Sequence, residues 1–346
     1  MSKRIFCKAL LVAAVGFVLL AFSGISFAQG RSDDVFKHVK EVQERHIDQL
    51  LAIKGVEGTA IGFDPNDQLV VKIFAAGPKV AGIPKKLDGV PTQVVVTGKF
   101  RALTQPDKPL GKPSREKINP AGRFPRPVPI GVSTGNVGEC LAGTIGCRVK
   151  DSLGNVYALS NNHVYALEND ADIGSEVSQP GVYDTGCNYD PCNVIGTLAD
   201  FETLNFGGGD NTIDAAIAFS SDANLGNATP SNGYGIPKST AVEAALNQKV
   251  QKYGRTTSLT RGTVTGINAA IWITYSSGQA LFTGQIIVQS GKPFIKAGDS
   301  GSLLVTDPGR QPVGLLFAGD ASGKYAIANQ IAPVLTRFGV TVDGEP

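Results

Sequence analysis

Charge is scarce in this chain. Only 18 % of its 346 residues are charged, against ~25 % in an average soluble protein. That shortage excludes a highly charged disordered chain, an acidic solvating domain and a long coiled coil. Histidine is scarcer still, with three residues at positions 38, 46 and 163. After residue 28 no apolar run reaches the ~20 residues that span a bilayer. No stable membrane insertion is therefore expected of residues 29–346. The formal net charge is only +2, too small to argue for a polyanionic partner.

Glycine is plentiful by contrast. The chain has 42 glycines and 20 prolines, and 42 % of its residues are apolar. This profile suits a glycine-rich globular β protein with one large domain and one small one. Charge is distributed unevenly along it. Residues 99–126 carry eight basic and two acidic side chains, whereas residues 127–346 carry twelve basic and nineteen acidic. The basic excess lies in one proline-rich stretch, so no nucleic-acid partner is expected.

The first 28 residues read as an export signal. Lys3, Arg4 and Lys8 precede an apolar run from Ala9 to Ala21, and Ser26 and Ala28 sit where a signal peptidase reads small residues. The predicted location is periplasmic or extracellular. Cys7 leaves with the signal; Cys140, Cys147, Cys187 and Cys192 remain. An even count in an exported chain implies disulfides. Of the three connectivities, the local pairs Cys140–Cys147 and Cys187–Cys192 are preferred, and a zinc site is the alternative. Neither a metal nor a cofactor is expected.

Helical periodicity runs from Asp33 to Ile53 and stops at Gly55. Strand-like runs follow at Val56 to Gly62, Gln68 to Ala75 and Pro91 to Gly98, so residues 29–103 form a small α+β unit. Residues 104–129 read as a proline-rich basic linker. From Ile130 to Pro346, short β-type runs alternate with Gly/Asn/Asp turns, ending in a helical segment from Ile331 to Phe338. These closely spaced strands fit two barrels or a sandwich.

Three segments carry chemistry. In Ala297-Gly-Asp-Ser300-Gly-Ser302, two glycines flank a serine on a tight turn before an apolar strand. A nucleophilic serine needs that bend, with its own amide and that of Gly298 converging on a developing oxyanion. His163, in Ser160-Asn-Asn-His163-Val164, is the only histidine in the β-rich region. Asp214 opens an apolar strand. The bland alternatives are a structural histidine, a strand cap and an ordinary turn. Together the three supply an acyl-transfer set: Ser300 attacks, His163 takes its proton and Asp214 orients the imidazole.

The order His, Asp, Ser, at intervals of 51 and 86 residues, resembles the trypsin-like serine peptidases of the chymotrypsin double-barrel superfamily. The segment Val250-Gln-Lys-Tyr-Gly-Arg-Thr-Thr257, with Gly262-Thr-Val264, is similar to the bacterial secreted and plant narrow-leaf-type branch. The resemblance covers residues 130–346. It implies a mainly β fold of two antiparallel six-stranded barrels, here preceded by the α+β unit, and a protein or peptide substrate.

It further implies that the Gly298 and Ser300 amides form the oxyanion hole. Phe294 stands where Lys/Arg-specific members carry aspartate. With Phe317, Ala318 and Gly319 it would line a pocket for a small or apolar side chain. Val164, and not a cysteine, directly follows His163, and Ser302 replaces a glycine. Asp299 would pair with a freshly cut N-terminus in activated relatives. Ile130-Gly-Val imitates one, although Pro127 and Pro129 argue against tryptic release at Arg126.

The function expected is thus an exported serine endopeptidase. A catalytically idle peptide-binding scaffold and a β-sandwich adhesion module are the alternatives. The N-terminal unit reads as a removable pro-segment, a folding aid or a substrate-binding module in intramolecular contact with the peptidase region. The loop acids Asp184, Asp190, Asp200 and Asp210 read as solvated turns in preference to calcium ligands.

Overall fold

The computed structural model describes residues 34–103 and 118–346. The expected export signal at residues 1–28 lies outside the described residues, as does the part of the expected linker from 104 to 117. Among the described residues no helix is long and apolar enough to cross a membrane.

The N-terminal unit opens with helix α1 (residues 34–51). It continues through β1 (Val56–Phe63), β2 (Leu69–Ala75), β3 (Lys86–Leu87), β4 (Val90–Val96) and β5 (Phe100–Ala102). Val39, Val42 and Leu50 lie on one face of α1 and bury themselves against Val56, Ile61, Val71 and Ile73, as a 3.6-residue period requires. Gly55, with φ +93°, makes the turn from helix to strand. β1 pairs antiparallel with β2, and β2 runs parallel to β4.

The first barrel uses β6 (Ser133–Asn136), β7 (Gly143–Thr144), β8 (Cys147–Asp151), β9 (Val156–Ser160), β10 (Glu176–Ser178) and β11 (Val194–Phe201). After the short β12 (Asp210–Asn211), β13 (Ala216–Phe219) completes it. Residues 143–151 close the ring, because their first end pairs with β6 and their second with β9. Around the barrel β9 then pairs with β13, β13 with β11, β11 with β10 and β10 with β6. Short helix α2 (Asn162–Tyr165) follows β9.

The second barrel uses β14 (Lys249–Gly254), β15 (Ser258–Thr274), β16 (Gln279–Gln289), β17 (Leu303–Thr306), β18 (Pro312–Gly319) and β19 (Tyr325–Gln330). It closes where β15 pairs with both β14 and β16. Helix α3 (Ile331–Phe338) and β20 (Val340–Val342) return the chain to the first barrel, where β20 pairs with β8. The fold is mainly β, two six-stranded antiparallel barrels preceded by a small α+β unit, as the resemblance implies.

Three features add to or correct the sequence-based expectations. The N-terminal unit continues the second barrel's sheet, because β1 lies antiparallel on β15 with Gly58 opposite Ile271. A Cβ at Gly58 would meet Ile271 Cγ1 at 2.7 Å, so only glycine allows that approach. The end of the linker is docked as well. Val128 is buried, and the Ser133 amide donates to the Pro120 carbonyl at 2.8 Å.

The disulfide corrects the preferred pairing. Cys140 bonds Cys187, with Cα atoms 5.1 Å apart, while Cys147 and Cys192 are free. Strand alternation is the reason: on β8, Cys147 and Val149 both point into the barrel core. Burial there pushes the Cys147 thiol up to about 12.

Candidate active site

His163, Asp214 and Ser300 are all fully buried where the two barrels meet. His163 lies in α2, just beyond the end of β9, and Asp214 lies two residues before β13, which pairs with β9. Neighbouring strands of one barrel thus bring the two side chains together. His163 Nδ1 is 2.5 Å from Asp214 Oδ2, and the His163 amide donates to Asp214 Oδ1 at 3.3 Å. His163 Nε2 is buried without a hydrogen-bond partner. That is the nitrogen a general base must keep open.

Asp214 is held from several sides. Its backbone amide donates to Asn329 Oδ1 at 3.1 Å, and its carbonyl accepts from Asn161 Nδ2 at 2.7 Å. Its Oδ2 also accepts a 2.8 Å hydrogen bond from the Tyr275 hydroxyl. Burial, reinforced by the Asp214 charge, pushes the Tyr275 phenol well above its usual range, which keeps it a donor. Sequence reasoning missed Tyr275. It sits in the turn between β15 and β16, and nothing local marks it.

Ser300 sits in a bend between Gly298 (φ +91°) and Gly301 (φ +89°), backbone conformations that favour glycine. The first barrel pins this bend. Thr144 donates its amide to the Ser300 carbonyl at 2.7 Å and its hydroxyl to the Gly298 carbonyl at 2.8 Å. Ser300 Oγ donates to the Phe317 carbonyl at 3.2 Å. The Gly298 amide donates at 2.9 Å to the carbonyl of Leu103, from the N-terminal unit.

Asp299 needs no new chain terminus. Lys252 Nζ lies 3.2 Å from its Oδ2, both side chains fully buried. The amides of Thr256 and Thr257 donate to its Oδ1 at 2.8 and 3.1 Å. The Ile130 amide donates elsewhere, to the Ala228 carbonyl at 3.0 Å. Burial pushes the Lys252 ammonium down, and the Asp299 charge only partly restores it.

Three of the four expected pocket residues divide between two apolar clusters. Phe294 is buried with Ile295, Leu304 and Val313, and Leu103 packs against this group. The Phe317 ring turns to the other side, 4.8 Å from the Phe282 ring, in a cluster that also holds Ala318. What β18 offers the cleft at Phe317 is its carbonyl. At Gly319 a Cβ would stand 2.8 Å from Ile295 Cγ2 and 3.5 Å from Leu103 Cδ1, so a larger residue would crowd this wall.

A cavity of about 620 Å³ opens beside His163, with Glu139, Glu168 and Asp170 in its lining. Burial pushes the Glu168 carboxyl up, but hydrogen bonds from Ser277 and Ser276 outweigh it, leaving it below its usual value. Leu167, Glu168 and Asn169 all have positive φ. The loop after α2 is therefore strained, and its contacts must hold it there. Among the described residues no cluster of His, Cys, Asp or Glu fits a metal ion. Asp184, read from sequence as a solvated turn, is instead buried against the Arg255 guanidinium and accepts from Ser133 Oγ at 2.6 Å.

Two closed barrels with a Ser/His/Asp constellation at their junction define a double-barrel β protein with a candidate hydrolytic site. Among solved structures, the chain is similar to a glutamic acid specific serine protease that uses a histidine triad in substrate binding. That match has 22 % identity and a TM-score of 0.45, covering 62 % of this chain and all of that one. Thermobifida fusca protease A matches at 21 % identity and TM-score 0.45, over 63 % of this chain and all of its own. Cellulomonas bogoriensis chymotrypsin matches at 21 % and 0.43, over 63 % and 98 %. No family model and no curated protein matches the chain.

Proposed function

We propose that this chain is an exported serine endopeptidase that hydrolyses peptide bonds through an acyl-enzyme. One observation carries the reading: the Gly298 amide already receives a peptide carbonyl two residues from Ser300, in a cleft where His163 is anchored on Asp214 through Nδ1 and keeps Nε2 open. Ser300 is the nucleophile, His163 the general base and Asp214 the carboxylate that fixes the imidazole tautomer and stabilises its charged form. The amides of Gly298 and Ser300 hold the oxyanion. The apolar wall of Phe294 and Ile295 supports an apolar preference over lysine or arginine. The Cys140–Cys187 bridge supports export to an oxidising compartment.

The idle-scaffold reading has its own support, since Ser300 Oγ donates to Phe317 and not to His163. Fluorophosphonate labelling and hydrolysis of a quenched fluorescent peptide decide between the two. Wild type labels and turns over, while Ser300→Ala does not label and loses at least ~10³-fold in kcat/KM with its fold retained. A wild type that does neither, folded both at full length and trimmed to residues 130–346, is a scaffold.

A further inference from the structure

The cavity of about 620 Å³ beside His163 is acidic. Glu139, Glu168 and Asp170 are in its lining, and no lysine or arginine is. None of the three acids has an ion-pair partner among the described residues. Glu139 comes from the segment between β6 and β7, and Glu168 and Asp170 from the loop after α2. Ser276 and Ser277, from the turn between β15 and β16, complete the wall. Both barrels therefore build it.

Glu168 is the fixed part of this site. It is only 8 % exposed, and its carboxylate reaches from the first barrel to the second. Oε1 accepts from the Ser276 amide at 3.2 Å and the Ser276 hydroxyl at 2.7 Å, and Oε2 from the Ser277 amide at 2.8 Å. A carboxylate has about four acceptor sites, so one on Oε2 stays free. A second feature of the lining points to a ligand as well. His163 is fully buried, its Nδ1 is taken by Asp214, and its Nε2 has no hydrogen-bond partner. A peptide cut at Ser300 must pass this nitrogen, because the imidazolium gives its proton to the departing amine.

The N-terminal unit shows which side of the cut the cavity serves. β5 runs along β18, and the Leu103 carbonyl that follows it takes the Gly298 amide, the place of an acyl group under attack. None of residues 100–103 lines the cavity. It therefore belongs to the residues that follow the scissile bond.

We propose that Glu139, Glu168 and Asp170 select a lysine or arginine side chain within the first two residues after the scissile bond. The inference rests on the serine-peptidase reading above and names its substrate class, proteins in which an apolar residue is followed closely by a basic one. A long basic side chain lays its methylenes on Leu141 and Leu167, which share the lining, and sets its cation among the carboxylates. An acidic side chain meets like charge there.

The test has two arms, both on the full chain. In the first, wild type receives quenched fluorescent peptides with leucine before the cut and lysine, arginine, leucine or glutamate at each of the two following positions. Mass spectrometry locates the cut. Lysine or arginine should raise kcat/KM about tenfold over leucine, as three partly screened ion pairs allow. Glutamate should lower it, and the basic advantage should shrink as salt rises. Glu139→Gln with Asp170→Asn, and separately Glu168→Gln, should bring the lysine-to-leucine ratio towards one. Asp210→Asn, at an exposed acid outside the cavity, should leave the ratio unchanged. Equal rates for all side chains, a basic preference only before the cut, or a ratio that survives the cavity variants overturns the proposal and leaves the peptidase reading standing. The second arm needs no turnover. Ser300→Ala is titrated with alanyl-lysyl-alanine, alanyl-leucyl-alanine and alanyl-glutamyl-alanine amides, and binding is followed by NMR. The lysyl peptide should bind tightest, and Glu139→Gln with Asp170→Asn should remove its advantage. A wild type that neither labels with the fluorophosphonate nor turns over fails the peptidase reading, and this arm then decides alone. Selective lysyl binding supports the acidic site, and equal binding overturns it. If Glu168→Gln fails to fold, the variant at the two exposed acids still decides.

Discussion

Asp214 shares its Oδ2 between two donors, the His163 ring and the Tyr275 hydroxyl. Tyr275 donates its hydroxyl to Asp214 and not to Ser300, so it acts by positioning. A hydrogen bond to a charged acceptor contributes ~1.5–3 kcal/mol. Tyr275→Phe should therefore lower kcat about tenfold and leave KM nearly unchanged, measured with a peptide substrate. A change confined to KM would mean that Tyr275 shapes the peptide groove and not the carboxylate. His163, Asp214 and Ser300 were legible in the sequence because each adjoins an apolar strand and the β region has a single histidine. Tyr275 was not, since its partner lies 61 residues away and the contact exists only once two barrels face each other. The Lys252–Asp299 pair was hidden for the same reason.

Between strands, parity and spacing decide what a sequence reveals. The inward alternation of Cys147 and Val149 on β8 was available as a signal against a Cys140–Cys147 bridge, and short loop closure is a weaker consideration than side-chain direction. The expected helix and the first two strands of the N-terminal unit were legible because their apolar residues repeat at 3.6 and 2. The joint from β1 to β15 was not, because its pairing spans about two hundred residues. Gly58 marks the tightest point of that joint. Gly58→Val should push β1 off β15 at a cost of about 1–3 kcal/mol. Hydrogen exchange in a Ser300→Ala background measures it, with faster exchange expected for β1 amides and little change in the first barrel. Unchanged β1 protection would show that the sheet yields there without loss.

Over the whole molecule, covalent and strand connections run in different directions. The Cys140–Cys187 bridge ties together points 47 residues apart within the first barrel region. Loop-closure entropy puts its contribution at about 4 kcal/mol. The double variant Cys140→Ser/Cys187→Ser, in a Ser300→Ala background, should unfold at a visibly lower temperature in calorimetry. An unchanged Tm would mean that the unfolded chain is not constrained by the bridge. The double-barrel plan itself was readable from turn spacing and motif order, whereas the docking of residues 118–129 against the first barrel had no periodic signature.

The shared sheet has a consequence for timing. The N-terminal unit is held in the cleft by more than the Leu103 carbonyl on the Gly298 amide. β1 pairs with β15, β5 lies between β15 and β18, and the Phe100 ring is buried against Phe74. The cleft opens only when those ladders open together, a local unfolding whose rate climbs steeply with temperature. The strength of a β-sheet therefore sets how long the cleft stays covered.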